Sequence, residues 1–431
     1  MAVNTISMGD VKKLLNYTID NNLKLQEAGK MPIAISLEAT AGIGKTSIVE
    51  QVAKERGMTF AKVSLHELDE TGDLLGFPQK EYECQMAKAV KDKDGNVKMQ
   101  ILPGTTWLNE KQLESKTAGA AYRQTGKTRM GYAKPAWVPE YNENGTLVVL
   151  DDYVRATPQL LQSSMELILT QKYTSWSLPK KTTIVLTNNP DDGQFNVSSL
   201  DEAQKSRFLN FDVEFSLDAW SKWAEETKVD GRCINFVLSY SNELFASDDQ
   251  GNHICNPRSF VMFADMISGL KDWDNAENLA FISQLASGCF KDEGRRFSQM
   301  FTSFIRNKMH LLIQPKDILL GSWKSVRETL EKTVYDEDGH YRPDIASLLE
   351  RRLANYIGVW LDSSDKTPIA TVKDRIIDLL DYKSDDGSKT KIFTPDVFYH
   401  LIKTVTDSHR NQTNKLLFEP KIAAILTRHT A

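Results

Sequence analysis

Pro32-Ile-Ala-Ile-Ser-Leu-Glu-Ala-Thr-Ala-Gly-Ile-Gly-Lys-Thr-Ser-Ile-Val-Glu50 is the stretch whose reading decides the fold. Ile33 to Leu37 is a short apolar run of the kind that forms a buried strand. Small residues follow from Ala39 to Gly44, then Lys45, Thr46 and a helical pattern. Glycines at 42 and 44 let backbone N–H groups converge on phosphate oxygens, and the helix start adds its dipole. Lys45 then has the reach for β- and γ-phosphates, and the Thr46 hydroxyl suits Mg²⁺. The phosphate-loop pattern wants glycine where Ala39 stands, so a plain strand–turn–helix stays open as the alternative. A second Gly-Lys-Thr, at Gly126 to Thr128, follows no apolar strand and is not read as a phosphate loop.

Around this stretch the chain has 431 residues, 41% of them hydrophobic and 26% charged, with a formal net charge of −5. That length predicts two or three domains. The acidic balance gives no general attraction to nucleic acid or to an anionic membrane, though a local basic patch can still serve either. The first residues lack a basic region followed by an apolar core, and no apolar run is long enough to span a bilayer. A cytoplasmic location is expected. Cys84, Cys233, Cys255 and Cys289 have no Cys-x-x-Cys spacing and read as reduced thiols. No His-x-x-x-His pair marks a metal site.

A helix is predicted over Gly9 to Asn22, a second strand over Thr59 to Leu65, and a polar, turn-rich segment over His66 to Phe77. Residues 79–134 break the rhythm. Met86 to Val90 and Val97 to Leu102 read as strands about the turn composition Lys91 to Asn96. Glu114 to Pro139 reads as a flexible stretch. No acid lies between Glu114 and Glu140, while Arg123, Lys127 and Arg129 are interleaved with Tyr122, Tyr132 and Trp137. Either this is a solvated loop, or it grips a peptide or single-stranded nucleic acid.

Gly145-Thr-Leu-Val-Val-Leu-Asp-Asp152 is a buried parallel-strand pattern ending in two carboxylates. Asp151 suits a Mg²⁺ shell and Asp152 suits an attacking water, unless both merely cap the next helix. Thr182 to Thr187 and Asn210 to Glu214 are further strands. From Ser216 onward the pattern is helical.

These pieces in this order resemble the AAA+ ATPases, and among them the MoxR-like branch related to dynein-type modules. Ala39 to Thr46 is similar to the Walker A segment of that family, and Glu70 to Gly76 to its "tDllG" segment. Gly145 to Pro158 is similar to Walker B, Leu186 to Pro190 to sensor 1, Leu200 to Phe208 to the arginine-finger segment, and Asn256 to Ser259 to sensor 2. The resemblance implies an ATP and Mg²⁺ site. In it Ala41, Gly42, Ile43, Gly44, Lys45, Thr46 and Ser47 hold phosphate, and Thr46 and Asp151 serve the metal. Asp152 polarises water, and Asn189, or else Asn188, senses the γ-phosphate. Arg207 reaches a neighbouring subunit's nucleotide, and Arg258 touches phosphates from a lid. Asp152 stands where that family usually has glutamate, and Ser206 where it has aspartate, so slow turnover is expected.

The expected architecture is a P-loop αβα sandwich with five parallel strands over residues 1–215, with 79–134 as an insertion. A helical lid over 216–312 and an α-helical extension over 313–431 follow. The resemblance further implies an oligomeric ring, a hexamer, that remodels or assembles a protein partner, with a von Willebrand-type adaptor as one candidate. A nucleic-acid-associated motor or loader, and an ATP-dependent scaffold with little hydrolysis, are the rival readings.

Overall fold

The computed structural model describes residues 5–91, 97–117, 121–190, 200–245, 253–336, 338–362, 369–384, 389, 391–408, 420, 422 and 424. The chain divides into two compact units, Met1–Glu214 and Phe215–Ala431.

The first unit runs β1 (Thr5–Ser7), α1 (Met8–Glu27), β2 (Ala34–Glu38), α2 (Lys45–Glu55), β3 (Thr59–Ser64) and α3 (Thr71–Leu75). It continues through β4 (Pro78–Lys91), β5 (Val97–Asn109), α4 (Glu110–Thr117), β6 (Tyr122–Tyr132), β7 (Thr146–Asp151) and α5 (Pro158–Thr170). It ends with the small β8 (Lys172–Tyr173) and β9 (Trp176–Ser177), then β10 (Thr182–Asn188), α6 (Glu202–Lys205) and β11 (Phe208–Glu214).

Six strands form the main sheet in the order β1-β11-β2-β10-β7-β3. Every neighbouring pair is parallel. The apolar runs in β2, β7 and β10 therefore face helices on both sides, as parallel strands must. Val148, Leu150, Ile184 and Leu186 share one core with Leu160, Leu161 and Leu167 of α5. The alternate residues Leu147, Val149 and Val185 are also fully buried, on the face taken by α1 and α2. Asn22 of α1 ties that layer down, donating to Ile33 O at 2.9 Å and to Thr183 Oγ1 at 3.1 Å.

Five strands were expected and six are present. The extra one, Thr5–Ser7, pairs with Asp212 to Glu214 at the sheet edge. Three residues are too few to show a period. The helix read as Gly9 to Asn22 extends over Met8–Glu27.

Most of the stretch read as flexible, Glu114 to Pro139, is ordered. It contributes α4 and the edge strand β6, which joins β4 and β5 in a separate antiparallel sheet of order β5-β4-β6. Arg123 to Met130 are all exposed, so β6 has no buried face to impose an alternating pattern. The predicted hairpin is present and longer than read, over Pro78–Lys91 and Val97–Asn109; its turn at 92–96 lies outside the described residues. Within the segment read as turn-rich, Thr71–Leu75 is a short helix that buries Leu74 and Leu75. Gly76 then turns into β4 with φ +88°, and a Cβ there would collide with Ala133 O.

The second unit is helical: α7 (Leu217–Glu226), α8 (Gly231–Phe245), α9 (Pro257–Ile267), α10 (Ala276–Phe290) and α11 (Gly294–Arg306) precede α12 (Pro315–Leu320). Then come α13 (Trp323–Val334), α14 (Pro343–Asp362), α15 (Ile369–Leu380) and α16 (Pro395–Ser408). One core gathers Phe236, Phe260, Phe263, Phe297 and Phe301. Another gathers Leu330, Ile345, Leu353, Ile357 and Leu401. Between them Arg352, almost fully buried, donates to Glu225 at 2.8 Å and to Asn235 and Gln314 at 3.0 Å. All four cysteines are free thiols, and three are buried. Among the described residues no helix is long and apolar enough to cross a membrane.

Candidate functional site

The site lies at the carboxyl ends of β2, β7 and β10, the end of a parallel sheet at which α/β folds bind ligands. β2 ends at Glu38, and the loop from Ala39 carries the chain to α2. Gly42 has φ +82° and Gly44 φ +101°, values that side-chain-bearing residues avoid. Gly44 is the N-cap of α2, so Lys45 and Thr46 occupy its first turn. Ala39 is buried and its N–H donates to Asn188 O at 3.1 Å, which pins the loop to β10.

Lys45 is buried, and its ammonium bonds three oxygens: Ala39 O at 2.7 Å, Asn189 Oδ1 at 3.0 Å and Thr40 O at 3.1 Å. The loop's own carbonyls thus surround the cation that the sequence reading assigns to phosphate.

Asp151 ends β7. Its Oδ1 accepts from Thr46 Oγ1 and from Thr187 Oγ1, both at 2.6 Å, and its Oδ2 faces Lys62 Nζ at 2.8 Å. Burial raises the carboxyl pKa, but the bonds from Lys62, Thr187 and Thr46 and the Lys62 charge outweigh it, leaving the group below the usual carboxylate range. Asp152 has φ 48° and ψ 45°, the left-handed region. Its N–H donates to Thr187 Oγ1 at 3.2 Å. Asp152 Oδ1 accepts from Asn189 Nδ2 at 3.2 Å, and its Oδ2 lies 3.4 Å from Arg155. A non-glycine residue in this conformation at the end of a central strand is a feature that clusters at functional sites.

The structure therefore brings together Lys45, Thr46, Asp151, Asp152 and Asn189. Asn188, the alternative sensor, is turned into the core, where it donates to Ser36 Oγ at 2.8 Å and accepts from Val154 N at 3.2 Å. Arg207 is not part of this cluster. It precedes Phe208, which pairs with Ala34 at the start of β2, whereas the phosphate loop leaves β2 at its far end. Its guanidinium donates to Ala203 O, and its Nε is buried without a hydrogen-bond partner among the described residues. Arg258 belongs to the second unit, where it is exposed in the first turn of α9.

Three partners were not singled out in the sequence. Lys62 and Thr187 hold Asp151, and Arg155 approaches Asp152. Thr187 had a signal, since it ends a buried strand beside Asn188. Lys62 lay inside a strand pattern, and only the pairing of β3 with β7 brings it to Asp151.

The donor set of Thr46 and Asp151 is all oxygen and suits a hard divalent cation. The buried lysine and the adjoining left-handed glycine loop suit a phosphate chain. No protein-family profile matches the chain, and no curated protein matches it. Among solved structures it is similar to a point mutant of Thermotoga maritima RuvB, at 13% identity and TM-score 0.35, covering 77% of this chain and 92% of that one. It is also similar to the T. maritima RuvB Holliday junction branch migration motor, at 13% identity and TM-score 0.34 over 78% and 93% of the two chains. A Cytophaga hutchinsonii protein provisionally described as an ATPase matches at 13% identity and TM-score 0.26, over 86% and 80%. Likenesses this distant assign no role to any residue.

Proposed function

We propose that the chain is an ATPase of the AAA+ type that binds ATP with Mg²⁺ and hydrolyses it slowly, acting as an oligomeric ring on a protein partner. The observation that carries this reading is the Lys45–Asn189–Asp152 and Thr46–Asp151 pair of hydrogen-bond chains beneath a glycine loop. Bound phosphate would draw Lys45 away from the Ala39 and Thr40 carbonyls. Mg²⁺, held through Thr46 and Asp151, would neutralise charge on the phosphates. Asp152 would accept a proton from the attacking water, with Asn189 fixing its carboxylate. Releasing Arg155 would free the other oxygen. Arg207, set at the opposite end of the sheet from its own loop, would serve a neighbouring copy's nucleotide in such an assembly. Arg258 would act from the helical unit.

The test is phosphate release across protein concentrations that permit assembly. We expect turnover that Lys45→Ala abolishes and Asp152→Asn reduces by about 10² or more, the scale of a lost proton acceptor. Release no greater than that of Lys45→Ala sinks the hydrolytic part.

A second reading, a nucleotide-dependent scaffold, is favoured by the Asp152 carboxylate, which is short and already engaged by Asn189 and Arg155. An Asp152→Glu variant that gains much activity supports it.

A further inference from the structure

The antiparallel sheet β5-β4-β6 holds none of the residues assigned to the nucleotide site. Residues 79–134, which include nearly all of it, hold eleven Lys and Arg against six Asp and Glu, while the whole chain carries a net −5. The positive charge is thus concentrated in this segment. Its base is closed by a small core of Cys84, Leu108 and Leu113. Among the described residues β6 pairs with β4 as far as Tyr122 opposite Met86, and Ala87 N donates to Ala121 O at 2.9 Å; from Lys88 onward the described pairing is β4 with β5. A bare two-stranded hairpin is marginally stable in water.

The far end of the sheet is apolar. Met86, Val90, Met99 and Ile101 are each 40–47% exposed. Ile101 lies opposite Ala87, and Met99 opposite Ala89, so Met99 and Ile101 share one face with these two alanines. Lys88, exposed and opposite Gln100, lies on the other face beside Met86 and Val90. Among the described residues β5 pairs only with β4, and its outer edge is open. Pro103 has no N–H and limits any further pairing to the stretch before it.

Four aromatic residues in and beside the sheet are already engaged by neighbours. Arg129 lies over Trp107 at 4.5 Å, and Lys80 over Tyr82 at 5.1 Å. Tyr132 packs edge-on against Tyr173 at 5.1 Å, and Trp137 against Trp176 at 6.1 Å. Nucleic-acid bases stack on aromatic faces, and aliphatic side chains do not replace them.

We infer that the open edge of β5 takes up, by strand addition, an extended protein segment in which acidic and apolar residues alternate. Backbone hydrogen bonds give affinity and the period of two gives specificity. The apolar residues of the added strand would cover Met99 and Ile101. Its carboxylates would meet the face that carries Lys88. Methionine suits such a surface because it adapts to different neighbours. This deepens the proposal of a protein partner and depends on it, but not on turnover.

The experiment uses the full chain and labelled probes read by fluorescence anisotropy, without nucleotide. The first probe is a peptide of about ten residues, a strand's length, alternating Glu with Leu or Val. The others are the same composition with the acids in one block, the alternating peptide N-methylated along one edge, and single-stranded oligothymidylate. We expect the alternating peptide to bind at least tenfold more tightly than each of the others. We expect Met99→Ser with Ile101→Ser, and separately Lys88→Glu, to weaken it at least tenfold with melting temperature unchanged. Lys45→Ala should bind it as the wild type does. Equal binding of the blocked peptide would leave only charge, and equal binding of the methylated peptide would remove strand addition. Oligothymidylate binding as tightly would point to nucleic acid. Any of the three, or no peptide binding, overturns the inference. Peptide binding absent while nucleotide binding persists fails the sheet alone.

Discussion

Replacing Asp151 with asparagine tests the electrostatics of the site without touching its shape. The carboxylate accepts two hydroxyl hydrogen bonds at 2.6 Å and faces the Lys62 ammonium at 2.8 Å. Asparagine keeps one oxygen and loses the charge. A hydrogen bond to a charged acceptor contributes ~1.5–3 kcal/mol, and weakening one costs about half of that or more. Lys62 is 45% exposed, so its ion pair is screened and adds no more than ~1 kcal/mol. The sum is about 2 kcal/mol, which corresponds to about 4–8 °C in melting temperature for a unit of this size. Amide hydrogen exchange resolves it locally: peptides covering β7 and β10 should exchange about thirtyfold faster wherever exchange follows opening of the first unit. The pH dependence has a definite sign. The folded pKa lies below the ordinary value of 3.8, so the stabilisation is fully present above that value. It is lost as pH falls through the lower folded pKa, and there the two proteins should converge. A difference that shrinks between pH 7 and pH 5, or no difference at pH 7, refutes this account of Asp151.

Further outcomes follow from the second unit and from the approach to the small sheet. Arg352→Leu leaves the Glu225 carboxylate buried without its cation and should cost about 3–5 kcal/mol in urea unfolding; adding Glu225→Leu should recover most of it. His310 is buried, and neither ring nitrogen has a hydrogen-bond partner among the described residues. Burial is the main influence that lowers its pKa below the ordinary value of 6.5. Stability should therefore fall as pH drops from 6.5 toward the folded pKa, because only the unfolded chain gains that proton. His310→Phe should flatten this slope in denaturation series, with no loss of stability at about pH 8, where the imidazole is neutral in both states. Gly76→Ala drives a methyl into Ala133 O and should cost more than ~3 kcal/mol, read as a lower unfolding midpoint.

Much of the first unit was legible because parallel strands buried on both faces are continuous apolar runs. Leu147 to Leu150 and Thr182 to Leu186 could be read from composition alone. The cluster of Lys45, Thr46, Asp151, Asp152 and Asn189 was legible because each follows such a strand. What was hidden had no hydrophobic period. β6 is exposed along most of its length, and β1 has three residues. Lys62 could be placed only through the register of β3 against β7. The aromatics Tyr132 and Trp137 looked available in sequence, yet they pack against Tyr173 and Trp176, residues some forty positions later.

The central claim is that the glycine loop and Lys45 hold the phosphates of a nucleotide. Calorimetric titration of the purified chain with a non-hydrolysable ATP analogue tests it directly. The account predicts Mg²⁺-dependent binding that Lys45→Ala weakens about a hundredfold, the loss of a buried charge-assisted contact of ~2–3 kcal/mol, while the small-sheet variant Lys88→Glu binds as the wild type does. Binding that is equal in Lys45→Ala, or absent from the wild type with and without Mg²⁺, contradicts it.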